Sequence, residues 1–362
     1  MNRINTAIIN LCTRCLAAFA FVSLSSCSNE DSDSSMASLR VSAFAYERPS
    51  VTRAVTPGYE DFASVYSVSQ ETPLAMNYWI CLGNSFQVEQ TATYNGTTWN
   101  PSCNLEINAT PYHFYSYMPG GITSKDITAS LKSSVSPAVM TFTGIPAIVE
   151  DDIIISEAVT SGENATDDPF DQLITSAANQ AVTFRMQHIL AKVSFSFSNP
   201  AEKSFSDMRK IVVRRLELYP ETSGSKHDVA CTMGQTITYA WTPQTPGPTD
   251  DYFINDNTEF TINGKKAYGY LVEQNASKAY CSCYMVPFNN NKIKIRVIYD
   301  VYTHDGSLIR DNEISVNNNL TISNTSTVAA GMEYKINVKI IPDYLYMLSD
   351  VDAGTSLEIK TN

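Results

Sequence analysis

An all-β fold follows from three features of the 362-residue sequence. Apolar residues recur at every second position in many short runs, the period of a half-buried strand. Asn-, Gly- and Pro-marked turns separate those runs. No segment carries the 3.6-residue pattern of a long amphipathic helix. Composition agrees, because Tyr is frequent at 20 residues and runs of Thr, Ser, Val and Ile recur. A parallel α/β sheet would need helical crossovers that this sequence lacks, so β-sandwiches are the matching class.

The first residues pair a basic Arg3 with an apolar run from Leu16 to Leu24, followed by Ser25, Ser26 and Cys27. This pattern predicts a signal peptide over 1–26 whose apolar core is too short to span a bilayer. Small residues directly before a cysteine resemble a bacterial lipoprotein signal, which implies cleavage before Cys27 and lipidation of its side chain. An ordinary signal peptide with a chance cysteine is the alternative. Residues 27–37 read as an acidic tether, since 28–35 are SNEDSDSS.

Removing 1–26 leaves 336 residues, enough for two domains with their own cores. It takes away Arg3 and Arg14 and no acid, so the net charge moves from −12 to −14. An acidic chain with no basic cluster excludes nucleic acid and anionic lipid surfaces as electrostatic partners. The polar stretch 160–180 marks the expected boundary between domains at 38–178 and 179–362.

The first strand is expected over Ser38–Tyr46, with Leu39, Val41, Ala43 and Ala45 on one face. Strands follow near Phe62–Tyr66, Met76–Leu82 and Ser85–Gln90, and Asn95-Gly96 marks a hairpin. Leu105–Met118 holds an aromatic strand ended by Pro119, and Val139–Thr143 and Asp152–Ala158 are two more. Val182–Ser198 reads as one long strand opening the second domain. Its apolar set moves from even positions (Val182, Phe184, Met186, His188, Leu190) to odd ones (Val193, Phe195, Phe197), which predicts a β-bulge at Ala191-Lys192. Ile211–Tyr219, Ala267–Val272, Ala279–Val286, Lys292–Tyr302, Leu308–Val316 and Glu333–Ile341 complete the set, with 221–228 and 242–258 read as loops.

Five cysteines lie beyond Cys27: Cys81, Cys103, Cys231, Cys281 and Cys283. Cys281 and Cys283 share a strand face and read as small buried hydrophobes, and a Cys81–Cys103 disulfide stays open. His188 and His113 read as hydrogen-bonded core residues, His227 as a solvated loop residue. No catalytic residues are assigned. The adjacent acids Asp151-Asp152, Asp167-Asp168 and Asp250-Asp251 would point to opposite faces of a strand. No phosphate loop, nucleophile elbow or zinc spacing occurs, so no metal ligands and no cofactor are assigned; a calcium site in the loops stays open, without a loop pattern for it.

Several segments, in order, resemble the fimbrillin superfamily of Bacteroidales, the type V pilus subunits and related adhesins. They are Leu24–Cys27 with its acidic tether, the first strand running into Thr52-Arg53-Ala54, the aromatic strand His113–Pro119, Phe184–Val193, and Ala330–Ile336. The resemblance implies two tandem transthyretin-like β-sandwich domains and a lipoprotein held in the outer membrane through Cys27. It implies an Arg-specific protease that cuts between Arg53 and Ala54, because Arg48 is followed by Pro49. A removable first strand within 38–53 would then be replaced by a strand from another fimbrial subunit, with Tyr334–Leu348 as the donor segment. A second reading is a lipid-anchored adhesin for a host or bacterial surface ligand. In that reading Tyr78, Trp79, Trp99, Tyr112, Tyr115 and Tyr117 would stack on sugars.

Overall fold

The computed structural model describes residues 36–46, 59–60, 66, 74–83, 85–133, 137–159, 168–176, 180–199, 209–220, 224–244, 252–272, 278–314, 318–322, 325–341 and 356–361. Among them there is no α-helix, and no helix is long and apolar enough to cross a membrane.

In chain order the strands begin with β1 (Met36–Tyr46), β2 (Tyr59–Glu60), β3 (Leu74–Leu82), β4 (Ser85–Tyr94), β5 (Trp99–Asn100), β6 (Cys103–Glu106) and β7 (Tyr112–Met118). Next come β8 (Thr128–Ser133), β9 (Ala138–Pro146), β10 (Ile148–Val149), β11 (Ile154–Val159), β12 (Asp171–Gln172), β13 (Gln180–His188) and β14 (Ala191–Ser198). They continue with β15 (Arg209–Pro220), β16 (Lys226–Met233), β17 (Thr238–Pro243), β18 (Tyr252–Asn255), β19 (Glu259–Ile262), β20 (Lys265–Tyr268) and β21 (Tyr270–Val272). The last are β22 (Lys278–Met285), β23 (Lys292–Thr303), β24 (Leu308–Ile314), β25 (Asn318–Thr321), β26 (Glu333–Ile341) and β27 (Ser356–Thr361).

A ten-stranded sheet runs β2-β1-β13-β11-β7-β3-β4-β5, with β6 added to β1 and β12 to β7. One of its faces buries Leu39, Met76, Tyr78, Phe114, Phe184 and Met186 against one another. The other face sends Trp79, Tyr115, Tyr117 and Ile155 against Met140, Phe142, Val229 and Cys231 of a four-stranded sheet, β17-β16-β9-β8. Period two explains the division: consecutive residues of β3 and β7 enter different cores. A third core lies between a five-stranded sheet, β10-β22-β14-β26-β27, and a six-stranded one built on β18-β15-β23-β24. There Ile293, Ile295, Val297, Tyr299 and Val301 of β23 face Tyr334, Ile336, Val338 and Ile340 of β26. The hairpin β19-β20 caps a small cluster around Val212 and Tyr302.

Asn95-Gly96 does make a hairpin, closing β4 on β5 with Tyr94 opposite Trp99. The Asn95 Oδ1 accepts the backbone N–H of Thr97 at 3.0 Å and of Thr98 at 2.9 Å, and Gly96 takes φ 97°.

Val182–Ser198 is not one bulged strand. The ladder breaks after His188, and β14 starts at Ala191 in a different sheet. β13 lies between β1 and β11, whereas β14 lies between β22 and β26. The apolar phase slips because Ile189 and Leu190 are both buried at the crossing, packed with Tyr115 and Phe142. β15 shows the same sequence signal with the other outcome. Its buried set moves from Ile211 and Val213 to Leu216 and Leu218, and there the register to β23 does shift by one residue at Arg214.

Candidate functional site

The first strand sits in a slot. Ala37, Leu39 and Ala45 are fully buried and Val41 nearly so, while Arg40 between them is exposed. On one side β1 runs parallel to β13, from Leu39 opposite Gln180 to Ala45 opposite Met186. On the other side two short antiparallel partners hold its ends: β6 against Met36–Leu39 and β2 against Ala45 and Tyr46. The Ser42 and Thr183 hydroxyls, 2.7 Å apart, add one side-chain link along the parallel pair. Under β1 lies an aromatic floor, with the Phe184 ring 5.6 Å from Tyr78 and 6.3 Å from Phe114. Small and mid-sized aliphatics on β1 therefore meet large rings below. Without β1, that floor and one backbone edge of β13 would face water.

Cys27, Arg53 and Ala54 lie outside the described residues, as do 62–65 of the strand expected at Phe62–Tyr66. The donor segment expected at Tyr334–Leu348 needs correction in its first half. Tyr334–Ile341 belongs to β26 (Glu333–Ile341), paired with β14 on one edge and β27 on the other, and its four alternate apolar side chains are core residues. It cannot leave without opening that core. Residues 342–348 lie outside the described set, and β27 ends its sheet as an edge strand.

The polar groups sort as follows. His188 Nδ1 meets Asp152 Oδ2 in a short buried contact, with Asp152 fully buried. Asp152 Oδ1 also accepts the Ile153 N–H at 2.9 Å, and its carbonyl accepts the Tyr66 hydroxyl at 3.2 Å. His188 is thus the hydrogen-bonded core residue that the sequence indicates. His113, on β7, pairs with Asp171 and lies 3.8 Å from Asp168. These three bring ligand atoms within 4.8 Å of one another, so they could hold a divalent cation; sequence spacing missed them because β7 and β12 meet only in the fold. His227 is not solvated: it is 4% exposed, on the inner face of β16. Burial lowers its pKa, against a smaller raising effect of Asp228.

All five cysteines are free. Cys81 and Cys103 lie in different cores, on opposite faces of the ten-stranded sheet, and form no disulfide. Cys283 is a core residue and Cys281 packs beside it. Burial pushes the thiols up, Cys81 to about 11 and Cys231 and Cys281 to about 12. The aromatic set offered for sugar stacking is interior: Tyr78, Trp79, Tyr112, Tyr115 and Tyr117 are all buried, and Trp99 is half-buried, stacked on Tyr94 at 5.1 Å.

No protein-family model matches the chain, and no curated protein matches its sequence. Solved structures do. The chain is similar to a fimbrial protein from Bacteroides vulgatus, with a TM-score of 0.50 and 14% identity, covering 90% of this chain and 98% of that one. It is also similar to a candidate cell adhesion protein from Bacteroides uniformis (TM-score 0.44, 11% identity, 89% and 97% covered). Another such protein, from Bacteroides fragilis, gives 0.42, 10%, 90% and 97%. The first likeness shows that the chain has the all-β fold of a Bacteroides fimbrial protein.

Proposed function

We propose that this chain is a structural subunit of a cell-surface fimbria that supports adhesion, assembled by exchanging its first strand, with no reaction and no cofactor of its own. The observation that carries the reading is the seat of β1: a terminal strand with alternate buried aliphatics, lying over an aromatic floor and held by one long parallel partner and two short ones. Such a strand can be replaced by another of the same alternation without rebuilding the core beneath it. The shared fold with a Bacteroides fimbrial protein agrees with this use.

In the full scheme, Cys27 anchors the precursor to outer-membrane lipid and an Arg-specific protease cuts between Arg53 and Ala54. The freed segment 38–53 departs, and a neighbouring subunit's tail fills the slot. The donor is the chain beyond Ile341, since Tyr334–Ile341 is a core strand. Leu357 and Ile359 alternate there as Leu39 and Val41 do in β1. The slot draws on both expected domains, since its long partner β13 lies just past the boundary between 38–178 and 179–362, and the tail comes from the second. The lipid-anchored adhesin that never polymerises remains the second reading.

Arg53→Ala tests the scheme. The variant precursor, treated with an Arg-specific protease, should keep its first strand and remain monomeric under negative-stain microscopy while wild type forms filaments. Filaments from the variant, with the same N-terminus as wild type, would reject the cut at Arg53.

A further inference from the structure

The turn Asp168–Asp171 is fastened to two strands. The Phe170 carbonyl accepts the Phe114 N–H at 3.1 Å, and the Pro169 carbonyl accepts the Val159 N–H at 2.9 Å. The Asp171 N–H closes the turn on the Asp168 carbonyl at 3.2 Å. β12 then sets Asp171 directly opposite His113 of β7. Asp168 Oδ1 accepts the Phe170 N–H at 2.9 Å, which holds that carboxylate with Oδ2 at 3.8 Å from His113 Nδ1. Three donor atoms from two strands and a turn thus converge before any ion is added.

The His113–Asp171 contact differs from the buried His188–Asp152 hydrogen bond. His113 Nδ1 is buried and makes no hydrogen bond, although Asp171 Oδ1 stands at ion-pair distance. The carboxylate oxygen lies beside the direction in which an N–H would point. Two donors that share a metal ion have that arrangement, because each aims at the ion and not at the other. Tetrahedral zinc with bonds of 2.0–2.2 Å sets its ligand atoms about 3.4 Å apart. The 3.8 Å between His113 Nδ1 and Asp168 Oδ2 is near that value, and a turn of the Asp171 carboxylate brings its oxygen into place. What covers Nδ1 is the cluster itself: the His113 side chain is 15% exposed and that of Asp168 22%, so an ion enters from the Asp168 side.

Charge favours a cation. With a neutral imidazole the three side chains carry −2, which a divalent ion cancels. Tyr115 lies two residues along the same face of β7, with its ring 5.0 Å from Phe170. Burial raises its pKa first, and the carboxylates of Asp168 and Asp171 raise it further. An imidazole nitrogen with two carboxylate oxygens suits zinc, whereas calcium takes six to eight oxygens. We propose that His113, Asp168 and Asp171 bind one zinc-type divalent ion, with water in the fourth position. The ion acts as a clip that ties the turn before β12 to β7 and takes part in no reaction. The site shares no residue with the seat of β1, so it stands apart from strand exchange.

The test uses metal-free protein without a histidine tag, titrated with zinc chloride. The ring resonances of its four histidines are followed by NMR and assigned from ring-to-backbone correlations. One zinc per chain should bind with a dissociation constant below about 100 μM. It should move the His113 resonance to saturation and leave those of the buried His188 and His227 in place. Calcium chloride in about tenfold excess should not displace it. His113→Gln should weaken binding by roughly tenfold or more, as loss of a ligand requires. Asp168→Asn should do the same while its remaining oxygen still accepts the Phe170 N–H. The proposal is overturned if zinc moves no histidine or only His304, if calcium takes the site equally well, or if folded His113→Gln binds zinc as wild type does. If neither variant folds, the wild-type titration alone decides.

Discussion

Removing β1 from the folded protein should leave a metastable molecule that a peptide can restore. The perturbation is a protein whose residues 38–53 can be cleaved off after folding, through a protease site placed in the 47–58 connection. Leu39 is fully buried and Val41 nearly so. At about 1.5–3 kcal/mol for each fully buried aliphatic side chain, these two account for roughly 3–6 kcal/mol. The lost ladder to β13, which spans Leu39 to Ala45, adds to that, at about 0.5–1.5 kcal/mol per hydrogen bond. Whole domains are stable by only about 5–15 kcal/mol. The cleaved protein should therefore melt many degrees lower and bind a dye that senses exposed apolar surface. A synthetic Met36–Tyr46 peptide should restore the melting temperature, and the same peptide with Leu39 and Val41 replaced by Asp should not. A cleaved protein that melts like wild type and ignores the peptide would refute the reasoning.

Three further outcomes follow from the interior. Asp152→Ala leaves His188 buried without its carboxylate and should cost about 3–5 kcal/mol in urea unfolding; a loss under about 1 kcal/mol would show that the pair is not structural. A thiol reagent at pH 8 should label native residues 36–362 slowly, because four of the five cysteines are buried and their thiols are pushed up, whereas the denatured chain should release five thiols; fewer than five would reveal a disulfide. Burial lowers the pKa of His227 below its ordinary 6.5, so the unfolded chain takes up the proton first. That contribution is complete above pH 6.5 and is lost as pH falls through the folded-state value. His227→Phe should flatten the acid side of the stability curve between pH 7 and pH 5, and an unchanged slope would show that His227 is not the group responsible.

Strand period made most of the fold legible. β23 and β26 read directly, because each keeps strict alternation over a core face. The β1 strand was legible for the same reason. The error at Val182–Ser198 is instructive: a phase slip records only that both halves have a buried side. Whether one sheet bends or the chain crosses to another depends on partners distant in sequence, as β13 and β15 show. β16 and β17 escaped because Thr, His and Asp occupy positions next to the apolar ones. Read as alternation, His227-Val229-Cys231-Met233 and Ile237-Tyr239-Trp241 around Gly234 would have signalled a hairpin, and with it a buried His227. A cavity beside β17 was out of reach of that signal, since its second wall comes from 287–290 and 327–330. The same holds for His113 with Asp168 and Asp171.

Strand exchange predicts that subunits inside a filament have lost their first strand. N-terminal sequencing of protein recovered from purified filaments measures this directly. A chain beginning at Ala54 is the predicted result; filament subunits that still begin at Cys27, with β1 in its seat, would contradict it.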